Sequence, residues 1–183
     1  HHAESRKAMG FCFYNNVAVG VSHALAKYGL QRVAVIDFDV HHGNGTENIC
    51  AGDDRILMCS IFQHPFYPYS GTDKPADNMV NVPLPGGSGG EELQQAVLES
   101  WVPRLEAFKP QMIFISAGFD AHYEDDMGGM KLFEKDYAWV TTQLRDVAVR
   151  HANGRIVSML EGGYVMSALA RSVTAHLRAL AEI

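Results

Sequence analysis

Apolar positions along this chain fall into two alternating patterns. Short continuous runs recur at Arg32–Phe38 (RVAVIDF), Arg55–Phe62 (RILMCSIF), Asn78–Leu84, Gln111–Ala117 (QMIFISA) and Arg155–Leu160 (RIVSML). Runs of this length, rich in β-branched residues and without polar alternation, predict strands buried on both faces. Between them, apolar residues recur every three or four positions, which predicts helices. Asn16–Tyr28 places Val17, Val21, Ala24 and Leu25 on one face, and Glu91–Phe108 does the same with Leu93, Val97, Leu98, Trp101 and Leu105. Pro103 predicts a kink or break in the second, because proline lacks an N–H and crowds the preceding turn. Lys135–His151 and Val165–Ala181 complete the helical set.

Buried strands alternating with helices predict a three-layer α/β/α fold around a mainly parallel sheet. In such sheets, binding groups gather just beyond the carboxyl ends of the strands. The sequence supplies them there. Asp37-Phe38-Asp39-Val40-His41-His42-Gly43-Asn44-Gly45 follows the first strand, Gly118-Phe119-Asp120-Ala121-His122 the fourth, and Glu161-Gly162-Gly163-Tyr164 the last. An extended backbone would turn Asp37, Asp39 and His41 to one side. Two carboxylates and an imidazole converging there call for a neutralising divalent cation. Asp39, His41 and Asp120 would give two oxygens and one nitrogen, with a coordination position left open as in catalytic zinc sites. The same donors also suit Fe(II). Each residue alone reads more simply as a cap, a turn former or a packed histidine. Only their convergence points to a metal.

Composition narrows the function classes. The 183 residues carry 15 Lys+Arg against 21 Asp+Glu, a net charge of −6, with 47% hydrophobic and 20% charged residues. That is a globular composition. The acidity and the lack of a basic block argue against direct nucleic-acid binding. No apolar run reaches the roughly 18 residues a membrane span needs. Three cysteines with no CxxC spacing predict a reducing, cytoplasmic setting.

The stretches HHAESRKAMGFCFYNN, VIDFDVHHGNGT, SAGFDAHYEDDMGG and EGGY resemble the zinc-dependent histone deacetylase family, which includes acetylpolyamine amidohydrolases and acetoin-utilisation proteins. Asn44 and Glu161 resemble its class II branch. The resemblance implies an arginase/deacetylase-like fold, with residues 1–183 forming one deacetylase-like domain truncated at its N-terminus. It implies hydrolysis of the acetamide of an acetylated lysine peptide or an acetylated polyamine. Asp39, His41 and Asp120 would hold zinc. His1 and His2 would be tandem catalytic histidines, with Asp37 bonded to His1 and Asn44 facing His2. Tyr164 would donate to the substrate carbonyl. Gly10, Phe11 and Tyr67, with Met127 and Gly162, would line an acyl-lysine tunnel. Many relatives have Phe where Tyr67 stands, a departure that bears on tunnel width and polarity. Ser60 and Ile61, with Asp37, Asp39 and His41, would form a structural potassium site.

In this scheme His2 is the general base, kept neutral by its uncharged partner Asn44, and His1 is a fixed positive charge beside Asp37. Two other readings compete. One is a non-catalytic acyl-lysine or metal-binding module. The other is a ureohydrolase-like enzyme, which would require two bridged metals and a richer aspartate set than Asp120-Ala121-His122 supplies.

Overall fold

The computed structural model describes residues 1–182. Five strands, β1 (Val33–Asp37), β2 (Ile56–Gln63), β3 (Met79–Leu84), β4 (Met112–Ala117) and β5 (Ile156–Leu160), form one sheet in the order β3-β2-β1-β4-β5. Every neighbouring pair is parallel, with Asp37 aligned to both Ser60 and Ser116. The chain moves outward from β1 to β3, then crosses to the other side of β1 for β4. The loops after β1 and β4 therefore separate around a crevice, the place where open parallel sheets bind ligands.

Alternation along β1 explains the layers. Ala34 and Ile36 join a core with Leu93, Trp101, Leu105, Tyr137 and Leu144, on the face covered by α3 (Gly90–Ala96), α4 (Val102–Phe108) and α5 (Glu134–His151). Val33 and Val35 point the other way, onto Val17, Val21 and Leu25 of α1 (Asn16–Tyr28) and Cys50 of α2 (Asn44–Cys50). The last helix, α6 (Met166–Ala181), packs along α5. At about 25 cal/mol per Å² of apolar area removed from water, these two cores supply the main drive for folding.

Two local features depart from the sequence reading. The predicted helix Glu91–Phe108 does not break at Pro103. A π-helical segment, Val97–Trp101, joins α3 to α4, and Pro103 sits in the first turn of α4. The widened turn places the Val102 N–H on the Val97 carbonyl and accommodates the missing proline donor without ending the helix. The glycine-containing segment after β1 is also more than a turn, because Asn44–Cys50 is helical.

Asn15 illustrates how local capping serves the site. Its side-chain oxygen accepts the Ala18 N–H at 2.9 Å, capping α1. Its amide nitrogen donates to the carbonyls of His1 and Ala3, each at 3.3 Å, and to Thr46 Oγ1 at 3.1 Å. One buried side chain thus fixes the 1–3 segment against both α1 and α2.

Candidate active site

Asp39, His41 and Asp120 are buried and each offers a ligand atom within 4.8 Å of the others. The route to this cluster differs from simple strand alternation. β1 ends at Asp37, so Asp39 and His41 lie on a loop. Successive turns shape it: Asp37 Oδ1 accepts the Asp39 N–H at 3.1 Å, and Asp39 Oδ1 accepts the His41 N–H at 2.8 Å. Asp37 itself turns away from the cluster, toward His1. Asp120 arrives from the loop after β4, with Oδ1 accepting the Val40 N–H at 3.0 Å.

The donor set fits a cation. Asp120 Oδ2 lies 3.2 Å from His41 Nδ1, but no hydrogen bond reaches it, because Nδ1 is directed at Asp39 Oδ1, 3.0 Å away. A buried carboxylate oxygen without a partner is costly. Burial, and then the facing Asp39, push the Asp120 carboxyl up to about 7. Burial opposes ionisation of Asp39 too, but His1 and His41 outweigh it and its pKa falls. Burial disfavours charge on His41, yet Asp120 and Asp39 raise it to about 9. Gly162 closes the floor. Its N–H donates to Asp39 Oδ2 at 2.9 Å, and a Cβ there would collide with Asp120 and Asp39.

The tandem histidines lie above this cluster, with ring centroids 4.2 Å apart. His1 Nδ1 is 2.7 Å from Asp37 Oδ2, and its backbone nitrogen is 2.8 Å from Glu161 Oε2. Burial disfavours a charged His1, but Asp37 and Asp39 more than compensate and raise its pKa well above the usual value. His2 differs. Its Nδ1 meets Asn44 Oδ1 at 2.8 Å. Burial and the neighbouring His1 charge lower its pKa to about 4. The pair is thus one charged and one neutral imidazole near neutral pH. Gly10 packs on the His2 ring with φ +57°. A side chain there would strike that ring, so glycine is required on both steric and conformational grounds.

A cleft of about 520 Å³ opens over the cluster, and its lining includes His2, His41, Phe11, Tyr67, Met127 and Tyr164. The Tyr67 ring meets His2 edge-on at 5.3 Å. Phe11 is 84% exposed, so this wall of the cleft is open on its outer side. Burial, followed by Asp120 and Asp39, pushes the Tyr164 phenol up to about 12, which keeps its proton in place as a donor. Ser60 is fully buried beside Asp37, and its Oγ reaches the Ile61 carbonyl at 3.4 Å.

Two contributors to this site escaped the sequence reading. Phe66 stacks on His41 at 5.4 Å and lines the same cleft. Asp125 accepts the N–H groups of Tyr164 at 2.7 Å and Val165 at 3.3 Å through one oxygen, and that of Met127 at 3.0 Å through the other. It therefore ties two walls together. An aspartate within an acidic loop carries no signal of such a role. Among the other histidines, His42 packs on Phe62 and pairs with Glu47 at 2.5 Å, and the buried His122 lies beside Glu134. Neither joins the cluster.

A parallel α/β sheet carrying a buried carboxylate–imidazole cluster at its crossover point defines an α/β protein with a candidate metal-binding site. Comparison with known proteins makes this specific. Residues 1–180 match the family model described as Histone deacetylase domain. The chain is 42% identical over 204 aligned positions to Type-2 histone deacetylase 2 of Dictyostelium discoideum, covering 100% of this chain and 12% of that protein. It is 42% identical over 171 positions to the Histone deacetylase-like amidohydrolase of Pseudomonas aeruginosa, covering 90% and 45%. The crystal structure of the HDA15 HD domain superposes with a TM-score of 0.91 at 36% identity, covering 98% of this chain and 52% of that one. This chain belongs to the histone deacetylase family. It spans about half the length, or less, of these three relatives.

Proposed function

We propose that this domain hydrolyses the acetamide of an N-acetylated amine, with a lysine peptide or a polyamine as the acetylated partner. The observation that carries this reading is the convergence of Asp39, His41 and Asp120 beneath a cleft lined by His2 and Tyr164. Zinc suits the two oxygens and one nitrogen, and Fe(II) suits them as well. When bound, such a cation acidifies water and polarises a carbonyl.

The chain's own residues do the remaining work. His2, neutral near pH 7, takes a proton from the attacking water at Nε2 and delivers it to the departing amine. His1 keeps a positive charge close to the developing negative charge. Tyr164 donates its O–H to the carbonyl oxygen as that oxygen becomes anionic. Phe11 and Tyr67 form aromatic walls suited to a methylene chain, leaving selectivity to its ends. Asp37, Asp39, His41, Ser60 and Ile61 complete the proposal as a structural potassium site behind the cluster. Unpaired Cys12, Cys50 and Cys59 support a reducing compartment such as the cytoplasm.

One cluster of three ligands among the described residues favours this reading over a two-metal ureohydrolase. The test is turnover of an acetyl-lysine peptide, acetylputrescine and a trifluoroacetyl-lysine peptide, after chelation and after return of zinc or Fe(II). Metal-restored release of acetate or trifluoroacetate is the expected result. Stoichiometric metal with no turnover of any of the three would leave a non-catalytic binding module instead.

A further inference from the structure

A general base needs its lone pair on the correct nitrogen. His2 faces the cleft, and its Nδ1 is engaged by Asn44 Oδ1 at 2.8 Å. A neutral imidazole holds one proton. If that proton sits on Nδ1, Nε2 is free to accept one; if it sits on Nε2, the ring cannot act as a base there. Asn44 decides between these states, because an amide has an accepting end and a donating end. Whatever fixes the orientation of the amide also fixes the tautomer.

The surroundings of Asn44 Nδ2 fix that orientation. Three groups lie against it, and all are acceptors: Glu4 Oε1 at 2.9 Å, Met9 Sδ at 3.3 Å and the His2 carbonyl at 3.4 Å. Glu4 is the nearest and the only anion. A carboxylate accepts and does not donate, so the NH₂ end must face it and the oxygen must face His2. Glu4 is itself held in place. Its N–H bonds the Lys7 carbonyl at 2.9 Å, and the adjoining Ser5 N–H bonds Asn48 Oδ1 at 3.1 Å.

We propose that Glu4 is a positioning residue that sets the His2 tautomer through Asn44, holding the proton on Nδ1 and the lone pair on Nε2. The proposal rests on His2 being the general base of the deacetylase reading. It also explains how a neutral asparagine performs a task for which a carboxylate would suffice alone. Glu4 borders a cleft of about 420 Å³ shared with Asn44, so water can enter when its side chain is shortened. Water donates as readily as it accepts and would no longer dictate the amide orientation.

The test uses zinc-loaded protein with ¹⁵N-labelled histidine, and reads the His2 ring by two-bond ¹H–¹⁵N correlation, assigned by its loss in His2→Ala. The parent should show the Nδ1–H pattern. Glu4→Ala should show mixed tautomers and a kcat lowered about tenfold with KM little changed, as expected when an outer partner of a site residue is lost. Glu4→Gln, which keeps the side-chain volume, should also give mixed tautomers, because its amide can donate to a flipped Asn44. In an Asn44→Asp background the accepting end is built in, so Glu4→Ala should neither change the tautomer nor lower kcat further. Pure Nδ1–H in both Glu4 variants would overturn the proposal, as would an equal loss of kcat in both backgrounds. The tautomer measurement does not depend on turnover, so it remains decisive even if no acetylated substrate is cleaved.

Discussion

His1 Nδ1 lies 2.7 Å from Asp37 Oδ2, and both side chains are buried. Burial opposes a cationic His1, but the anions of Asp37 and Asp39 overcome it. Asp37→Asn removes the nearest anion, so the His1 pKa should fall toward neutrality. The loss of that charge should in turn raise the His2 pKa above about 4, because the His1 charge is among the causes depressing it. A histidine NMR titration of the zinc-loaded variant should show both changes, and the acid limb of kcat/KM should move to higher pH. An unmoved His1 resonance would mean that Asp37 does not hold its proton.

Tyr164 offers a sharper kinetic prediction. Its phenol keeps its proton at working pH, with a pKa of about 12, and Asp125 fixes its backbone at 2.7 Å. Removing one oxyanion donor costs about 3–4 kcal/mol of transition-state stabilisation, or 10²–10³ in rate. Tyr164→Phe should therefore lower kcat by about that factor, while a substrate analogue binds with nearly unchanged affinity by calorimetry. Parent-like kcat would remove the hydroxyl from the mechanism.

Metal retention tests the cluster itself. Asp120→Asn replaces a proposed carboxylate ligand by a neutral amide, and His41→Ala deletes the proposed nitrogen donor. Each should reduce bound metal far below one ion per chain by elemental analysis after dialysis, while circular dichroism stays parent-like. In the parent, added zinc should raise the melting temperature, since a ligand bound only by the folded state stabilises it by mass action. Full metal content in either variant would contradict the ligand assignment.

Much of this was legible in the sequence, for physical reasons. Apolar runs marked all five strands, but only β1, β2 and β4 are buried along nearly their whole length; β3 and β5 are the sheet's edges and stay partly exposed, contrary to the expectation of burial on both faces. The site was legible because sheet topology carries the loops after β1 and β4 to one crevice, making Asp39, His41 and Asp120 neighbours whatever their separation. What stayed hidden depended on local hydrogen bonds or long-range proximity. The seven-residue α2 begins with Asn44-Gly45, which reads as a turn. Asp37 alternates correctly on paper but turns to His1, because the strand ends there. Phe66 resembles any loop aromatic until it stacks on His41. The link from Glu4 to Asn44 spans 40 residues and has no periodic signature.

Away from the cleft, a buried histidine couples stability to pH. His176 is 2% exposed and bonds Thr141 Oγ1 at 2.6 Å and Ser158 Oγ at 2.8 Å. Burial lowers its pKa from 6.5 to about 4. Because the folded pKa lies below the unfolded one, the unfolded chain binds more protons between these values, and stability falls as pH drops through 6.5. Above that range the ring is neutral in both states and contributes no pH dependence. The accumulated loss by pH 4 is about 3 kcal/mol. Urea midpoints measured from pH 7.5 to 4 on parent and His176→Gln should therefore converge at the acidic end, with the variant showing the flatter slope. Parallel curves for the two proteins would mean that His176 does not carry this share of the acid sensitivity.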